Sequence, residues 1–271
     1  MKKLLSFVVL FVLALVVTGC ASKGVTVEEI QSRGKLVIAT NAEFPPFEYL
    51  DGNSIVGFDI ELARAIADAM GVDLEIKNMD FDAVIASVQS GVADIAIAGL
   101  TISSERLKSV DFTDSYFNAS QVVIIRSNDT SIGGTTVEAL HSSLEGKRIG
   151  VQTGTVAQFY VAGDTGWDFP GITGATLLTY TSGILATQAL KNGQIDAVII
   201  DEMPAKTFVE NNTGVAIKVL AIPLTVEEYA IAVPKNSEAL VEFINAVFAA
   251  MKSDGRFDAI TLEYFGTGTD N

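Results

Sequence analysis

Cysteine and histidine are almost absent from the chain, each occurring once in 271 residues. The lone cysteine, Cys20, excludes an internal disulfide and a multi-cysteine metal site. The lone histidine, His141, falls in a polar stretch that reads as solvated loop, far from any Cys or His partner. A histidine triad or zinc site therefore has nothing to build from. Basic residues are scarce as well: 18 Lys and Arg stand against 33 Asp and Glu, a net charge of −15. Without a cationic face the chain cannot displace counterions from phosphates, which sets nucleic acid aside as a partner. Acidic pairs such as Glu28–Glu29 and Glu227–Glu228 fall on polar stretches and read as solvated faces, not acid–base dyads. No repeat of solenoid period is present. Neither a metal nor a cofactor is expected.

What is present is apolar: 49% of residues are hydrophobic, enough for a packed core, and the length suits one large domain or two small ones. Part of that content sits at the start, where Lys2 and Lys3 precede a run from Leu4 to Val17 interrupted only by Ser6. The run is short for a bilayer span and ends in Thr18 and Gly19, which describes a secretory signal. Val17-Thr18-Gly19-Cys20 resembles the bacterial lipobox, in which the cysteine becomes the lipidated first residue. Residues 1–19 are read as a signal peptide and 20–33 as a tether that holds the protein to a membrane surface through lipid on Cys20. The body is then expected outside the cytoplasm, in a bacterial envelope.

Beyond the tether, where Val25, Val27 and Ile30 hint at a short helix, strand and helix patterns alternate. Leu36–Thr40 reads as a buried strand, and Asp59–Met70 carries apolar residues at helical spacing, closed by Gly71. Leu74–Ile76 is a second strand, Asp82 is placed as N-cap of a helix through Gln89, and Asp94–Gly99 is a third strand. The unit recurs: strand Arg148–Gln152, helix Thr155–Val161, strand Thr176–Tyr180, helix Ser182–Lys191, strand Ile195–Ile200. Gln121–Arg126 and Tyr229–Val233 are apolar strands flanking the second unit, so the chain is expected to cross between two lobes near them. Ser237–Lys252 is an amphipathic helix packing back on the first lobe. Asn128–Gly134 and Gly163–Gly174 read as surface loops. The pattern predicts an α/β fold of two lobes, each a mainly parallel sheet flanked by helices, with ligand between them at the strand carboxyl ends.

Residues at those ends carry the chemistry on offer. Phe44-Pro45-Pro46-Phe47 can hold a ring as a flat wall, or be a packed turn. In Gly99-Leu100-Thr101, followed by Glu105-Arg106, glycine admits close approach to the backbone and Arg106 offers a planar fork for a carboxylate; a helix cap with a surface arginine is the plainer reading. Gln152-Thr153-Gly154-Thr155 turns a strand into a helix, where free amides attract an anion or are simply capped. Asp201 ends a strand with a carboxylate that could take an ammonium group or be solvated. Together they provide what a free amino-acid zwitterion requires.

These motifs also carry a family resemblance. Gly57-Phe58-Asp59-Ile60-Glu61-Leu62-Ala63 looks like the signature of the extracellular amino-acid-binding proteins of bacterial ABC importers, the solute-binding protein family 3. Phe44–Glu48, Ala98–Ile102, Glu105-Arg106, Val151–Thr155 and Ile199–Asp201 follow in that family's order. The resemblance implies a type II periplasmic-binding-protein fold closing on its ligand about two hinge segments, with lobe 1 from 34–120 and 223–271, including the C-terminal helices, and lobe 2 from 121–222. It implies that Arg106 and the amides of Thr101 and Thr155 hold the α-carboxylate, that Gly99 carbonyl, Thr101 hydroxyl and Asp201 hold the ammonium, and that Phe44 and Phe81 stack on the side chain. The implied partners are a free L-amino acid and a membrane permease, with the binding protein itself a monomer that performs no chemistry.

The ligand's side chain is less constrained. Asn41 and Glu43 flank the end of the first strand, and an acid there beside two aromatic faces favours Arg, Lys or His. Binders of glutamine, glutamate and cystine share the family; Gly99 with Thr101 resembles the glutamine type, and Ile200 is apolar where some members carry a polar residue. Two other classes compete. Cyclohexadienyl dehydratases resemble the same fold, with Glu43 as the candidate acid, although an intact clamp of Arg106 and Asp201 weighs against turnover. A sensor domain would need a membrane-spanning link, and no segment after Tyr264 is apolar enough for one.

Overall fold

The computed structural model describes residues 24–266. The expected signal peptide, Cys20 and residues 21–23 of the tether lie outside them. Helix α1 (Val27–Arg33) is held by a capping box between Thr26 and Glu29 and leads into β1 (Lys35–Thr40). A small antiparallel sheet of β2 (Glu43–Phe44), β3 (Glu48–Asp51) and β4 (Ser54–Val56) precedes α2 (Phe58–Met70), β5 (Asp73–Asn78), α3 (Phe81–Gln89), β6 (Ile95–Ala96) and β7 (Val110–Phe112). After β8 (Phe117–Ala119) come β9 (Gln121–Arg126), α4 (Val137–Ser143), β10 (Arg148–Gln152), α5 (Val156–Ala162), β11 (Thr176–Tyr180), α6 (Gly183–Lys191), β12 (Ala197–Asp201), α7 (Glu202–Glu210) and β13 (Ile217–Leu220). The chain then returns through β14 (Glu227–Tyr229) and β15 (Ala232–Pro234) to α8 (Glu238–Asp254) and α9 (Arg256–Phe265).

Two five-stranded sheets result, in the orders β5-β1-β6-β15-β7 and β11-β10-β12-β9-β13. They share a plan: a first strand lies between two parallel neighbours, and one reversed strand joins the third. In each lobe that reversed strand, β15 or β9, is the one the chain enters directly after crossing from the other lobe. The crossings themselves, β8 and β14, pair antiparallel. Both sheets are buried on both faces, as period-two alternation shows: Leu36 and Ile38 of β1 enter one core cluster while Val37 and Ala39 enter another. Val122 and Ile124 of β9 likewise part from Val123 and Ile125.

Several expectations need correcting. The apolar run Tyr229–Val233 is not one strand: Tyr229 pairs with Phe117 in the crossing, the Ala230 N–H turns to the Leu100 carbonyl (3.0 Å), and pairing resumes at Ala232 with lobe 1. The third strand is reduced to Ile95–Ala96. Helix α3 begins two residues earlier than read, with Asp80 and not Asp82 at the N-cap, which makes Phe81 its first residue. His141 lies on α4 and its Nδ1 meets the Tyr160 hydroxyl at 2.9 Å.

The motif Gly57–Ala63 opens α2 and places Asp59 in the core. Asp59 Oδ2 accepts from the Gly99 N–H (2.9 Å) and the Tyr116 hydroxyl (2.8 Å), so it fixes the backbone that leads out of β6. Glu48 is fully buried beside it, and neither Glu48 oxygen nor Asp59 Oδ1 meets a protein donor. Burial pushes the Glu48 carboxyl well above its usual range, with Asp59 adding to the push, and raises Asp59 to about 6. Burial of this kind favours the neutral form of Glu48 beside Asp59. Asp59→Ala strands two buried donors and should cost about 2–4 kcal/mol, whereas Glu48→Gln, whose amide donates as the neutral acid does, should stay within about 1 kcal/mol of wild type in urea denaturation.

Candidate functional site

The carboxyl ends of β1, β6, β10 and β12 converge where the lobes meet. Lobe 1 contributes Phe44 on β2, Phe81 at the start of α3, Gly99 and Thr101 after β6, and Arg106 in a short 3-10 turn. Lobe 2 contributes Gln152 at the end of β10, Thr155 and Val156 at the start of α5, and Asp201 at the end of β12, and Gln121 joins them from the crossing. These residues line one narrow pocket between the lobes.

The other expected residues, Asn41, Glu43, Leu100, Thr153 and Gly154, do not line it. Asn41 Oδ1 accepts from Gln152 Nε2 across the cleft (2.9 Å), and Asn41 Nδ2 donates to the Met79 carbonyl (2.8 Å). Glu43 is half-buried; burial and the nearby Asp80 raise its carboxyl, while Ser182 and Asn41 favour its ionised form. The Leu100 side chain packs into the core of lobe 1, away from the cleft. Thr153 turns back to the Tyr180 carbonyl, and the Gly154 N–H is taken by Gln158 Oε1 (2.8 Å). Gly99 has a φ of 54°, and a Cβ there would meet the Phe44 ring at 2.9 Å. Its glycine is thus required by the aromatic wall it packs on.

Arg106 is buried, with Nη1 donating to the Thr101 carbonyl (2.8 Å) and Nη2 to the Gly154 carbonyl of the opposite lobe (3.3 Å). Its guanidinium lies 5.6 Å from the Phe81 ring centre and 5.3 Å from that of Trp167. Burial lowers its pKa to about 10, opposed by Glu227 and Asp201, so it stays cationic at neutral pH. Asp201 Oδ1 accepts from Gln121 Nε2 (2.8 Å) and the Tyr229 hydroxyl (2.5 Å). Gln121 Nε2 also reaches Glu227 Oε1 (3.0 Å), so one amide sits between two buried carboxyl groups. Burial first, and Glu227 second, push Asp201 up to about 8. The Thr101 hydroxyl donates to Glu227 Oε2 (2.6 Å), which leaves its lone pairs for the cleft.

Glu227 was expected on a solvated face and is instead 6% exposed. On β14 it shares a face with the buried Tyr229 while Glu228 points out, an alternation present in the residues Glu227-Glu228-Tyr229 once they are read as a strand. Gln121 and Trp167 were also missed as site residues. Gln121 begins a strand whose apolar residues drew the reading, and Trp167 lies in a loop about sixty positions from the arginine it faces.

Comparison with known proteins agrees with this architecture. Residues 36–267 match the model of the bacterial extracellular solute-binding proteins, family 3. The chain belongs to that family. A probable histidine-binding protein of Neisseria gonorrhoeae is 32% identical over 256 residues, covering 93% of this chain and 91% of the relative. An arginine-binding extracellular protein of Bacillus subtilis is 30% identical and covers 98% of both. Among solved structures, an ancestral arginine-binding protein, determined with arginine and with glutamine, superimposes with a TM-score of 0.77 at 40% identity, covering 86% of this chain and 99% of its own. These relatives are named as binding proteins, not enzymes.

In this solute-binding protein the buried acids make folding depend on pH in a defined direction. Asp201 is raised from 3.8 to about 8, so the folded state holds a proton that the unfolded chain releases. The stability this contributes is complete below about pH 4 and is lost as pH rises towards 8, with Asp59 acting in the same sense up to about 6. Denaturant unfolding of ligand-stripped protein at pH 5 and pH 8 should show lower stability at pH 8, and Asp201→Asn should flatten the difference.

Proposed function

We propose that this protein is the substrate-binding subunit of an amino-acid ABC importer, capturing a free basic L-amino acid, arginine foremost, and presenting it to the permease. The observation that carries the reading is the acidic surround of the cleft: among the described residues lining it Arg106 is the one cation, against Asp201, which a bound ammonium would ionise, with Glu227 behind it, and with Glu43 and Asp80 beyond Asn41. A zwitterion alone adds no net charge to such a site, whereas a cationic side chain offsets the acidic excess.

Arg106 takes the α-carboxylate, aided by the amides of Thr101 and Thr155. The ammonium goes to Asp201, the Thr101 hydroxyl and the Gly99 carbonyl, and it lowers the cost of ionising Asp201. Phe44 and Phe81 flank the side chain, whose distal guanidinium reaches towards Glu43, Asn41 and Gln152. Lobe 1 from 34–120 and 223–271 closes on lobe 2 from 121–222 about the paired crossings β8 and β14. The protein acts as a monomer outside the cytoplasm, held to the membrane by lipid on Cys20 after removal of residues 1–19. It binds without turnover: Arg106 and Asp201 line the cleft as an intact clamp for an amino-acid backbone, while Glu43, the acid a dehydratase would need, is not among the residues lining it. Glutamine is the second reading, favoured by the Asn41–Gln152 amide pair, which a carboxamide could join.

A thermal-shift panel of the twenty amino acids plus ornithine, citrulline and cystine on ligand-stripped protein tests the class, since a ligand of the folded state raises its apparent stability. The largest shifts are expected with arginine, lysine, histidine or ornithine. A largest shift with glutamine or cystine would replace the basic reading, and prephenate turnover with no amino-acid shift would replace the class. Arg106→Ala should weaken binding by about 2–5 kcal/mol in calorimetry.

A further inference from the structure

Trp167 is the single tryptophan of the chain and lies in the stretch Gly163–Gly174, read from sequence as a surface loop. The loop is braced from within. Asp164 and Phe169 exchange both backbone hydrogen bonds at 2.9 Å, and Asp164 Oδ1 accepts from the N–H groups of Gly166 (2.8 Å) and Trp167 (3.2 Å). The indole stacks on Phe159 of α5, with ring centres 5.3 Å apart and planes 13° from parallel, and on Phe169 at 6.2 Å. Lobe 2 therefore presents the ring on a fixed platform.

The ring also meets lobe 1. The Arg106 guanidinium lies between Phe81 of its own lobe and Trp167 of the other. Beside it the Ser104 hydroxyl donates to the Gly166 carbonyl (2.8 Å), and Arg106 reaches the Gly154 carbonyl. At Gly154, φ is 79° and a Cβ would meet the Asp82 Cβ at 3.0 Å, so the lobes are in tight contact here. Separating the lobes about β8 and β14 leaves Arg106 with Thr101 and Phe81 and removes the other two partners.

Resting on the binding function proposed above, we propose that Trp167 is a positioning residue that completes the Arg106 clamp only when the lobes close, and thereby slows ligand release. Its ring covers the guanidinium from the lobe-2 side, excludes water from the carboxylate-binding cation, and adds an attraction that exists only between closed lobes. Association, which begins on open lobes, does not depend on it.

The test compares wild type, Trp167→Phe and Trp167→Ala, each stripped and reloaded with labelled L-arginine, following exchange against excess unlabelled arginine. Trp167→Ala should release ligand roughly five- to thirty-fold faster with association within about twofold, and Trp167→Phe should restore most of the loss. In wild type, arginine should shift the tryptophan emission and shield it from acrylamide. Those fluorescence readings and Trp167→Phe carry the test if the alanine variant does not fold. Unchanged release from a folded alanine variant, or unchanged acrylamide access in wild type saturated with arginine, overturns the latch. Failure of wild type to bind any amino acid is a different result: it overturns the binding function, and the latch with it.

Discussion

A buried guanidinium is costly unless it is paired, and this protein places one where its two lobes meet. Arg106 keeps its charge because carbonyls, aromatic faces and two acids surround it. The acids in turn are supported by Gln121, Tyr229, Thr101 and Thr225. The cleft is thus a buried polar network drawn from four stretches of the chain, Thr101 to Arg106, Gln121, Asp201 and Thr225 to Tyr229, in which Gln121 Oε1 meets no donor among the described residues. An interior built this way has a use for a ligand carrying both signs, since charged groups taken from water need partners already in place.

The topology explains how distant residues arrive there. Each sheet takes its reversed strand from the crossing, so the crossings are bonded into both cores and not draped between them. Gln121 and Asp201 are register partners at the ends of β9 and β12, which aligns the bridging amide with its carboxylate. Thr101 bridges to Tyr229, which sets Glu227 two residues away against the Thr101 hydroxyl. Behind this, Asp59, with Glu48 buried beside it, holds the Gly99 backbone. The same few elements therefore fix the fold's crossings and the polarity of the cleft.

Much of this was legible in the sequence where a single local signal decided the outcome. β9, β10 and β11 fall on the residues read for them because apolar runs with clear ends leave little choice. Phe44, Phe81, Thr101, Arg106, Gln152, Thr155 and Asp201 line one space, since strand ends in an α/β fold share one side. What escaped was decided by partners remote in sequence. Glu227 looks solvated beside Glu228 until Gln121 and Thr101 are brought to it. Trp167 looks like a loop residue until Arg106 meets it. Tyr229–Val233 looks continuous because hydropathy does not show that the chain changes sheets at Ala230. Leu100 lies inside a binding motif, yet it serves the core.

The central claim is that the cleft requires both charges of the amino-acid backbone at once. Calorimetric titration of the stripped protein with L-arginine, agmatine and 5-guanidinopentanoate tests it most directly, because the last two keep the guanidinium and lack the carboxylate or the ammonium respectively. The account expects arginine to bind and each analogue to bind roughly a hundredfold more weakly or worse. Either analogue binding as tightly as arginine would contradict it.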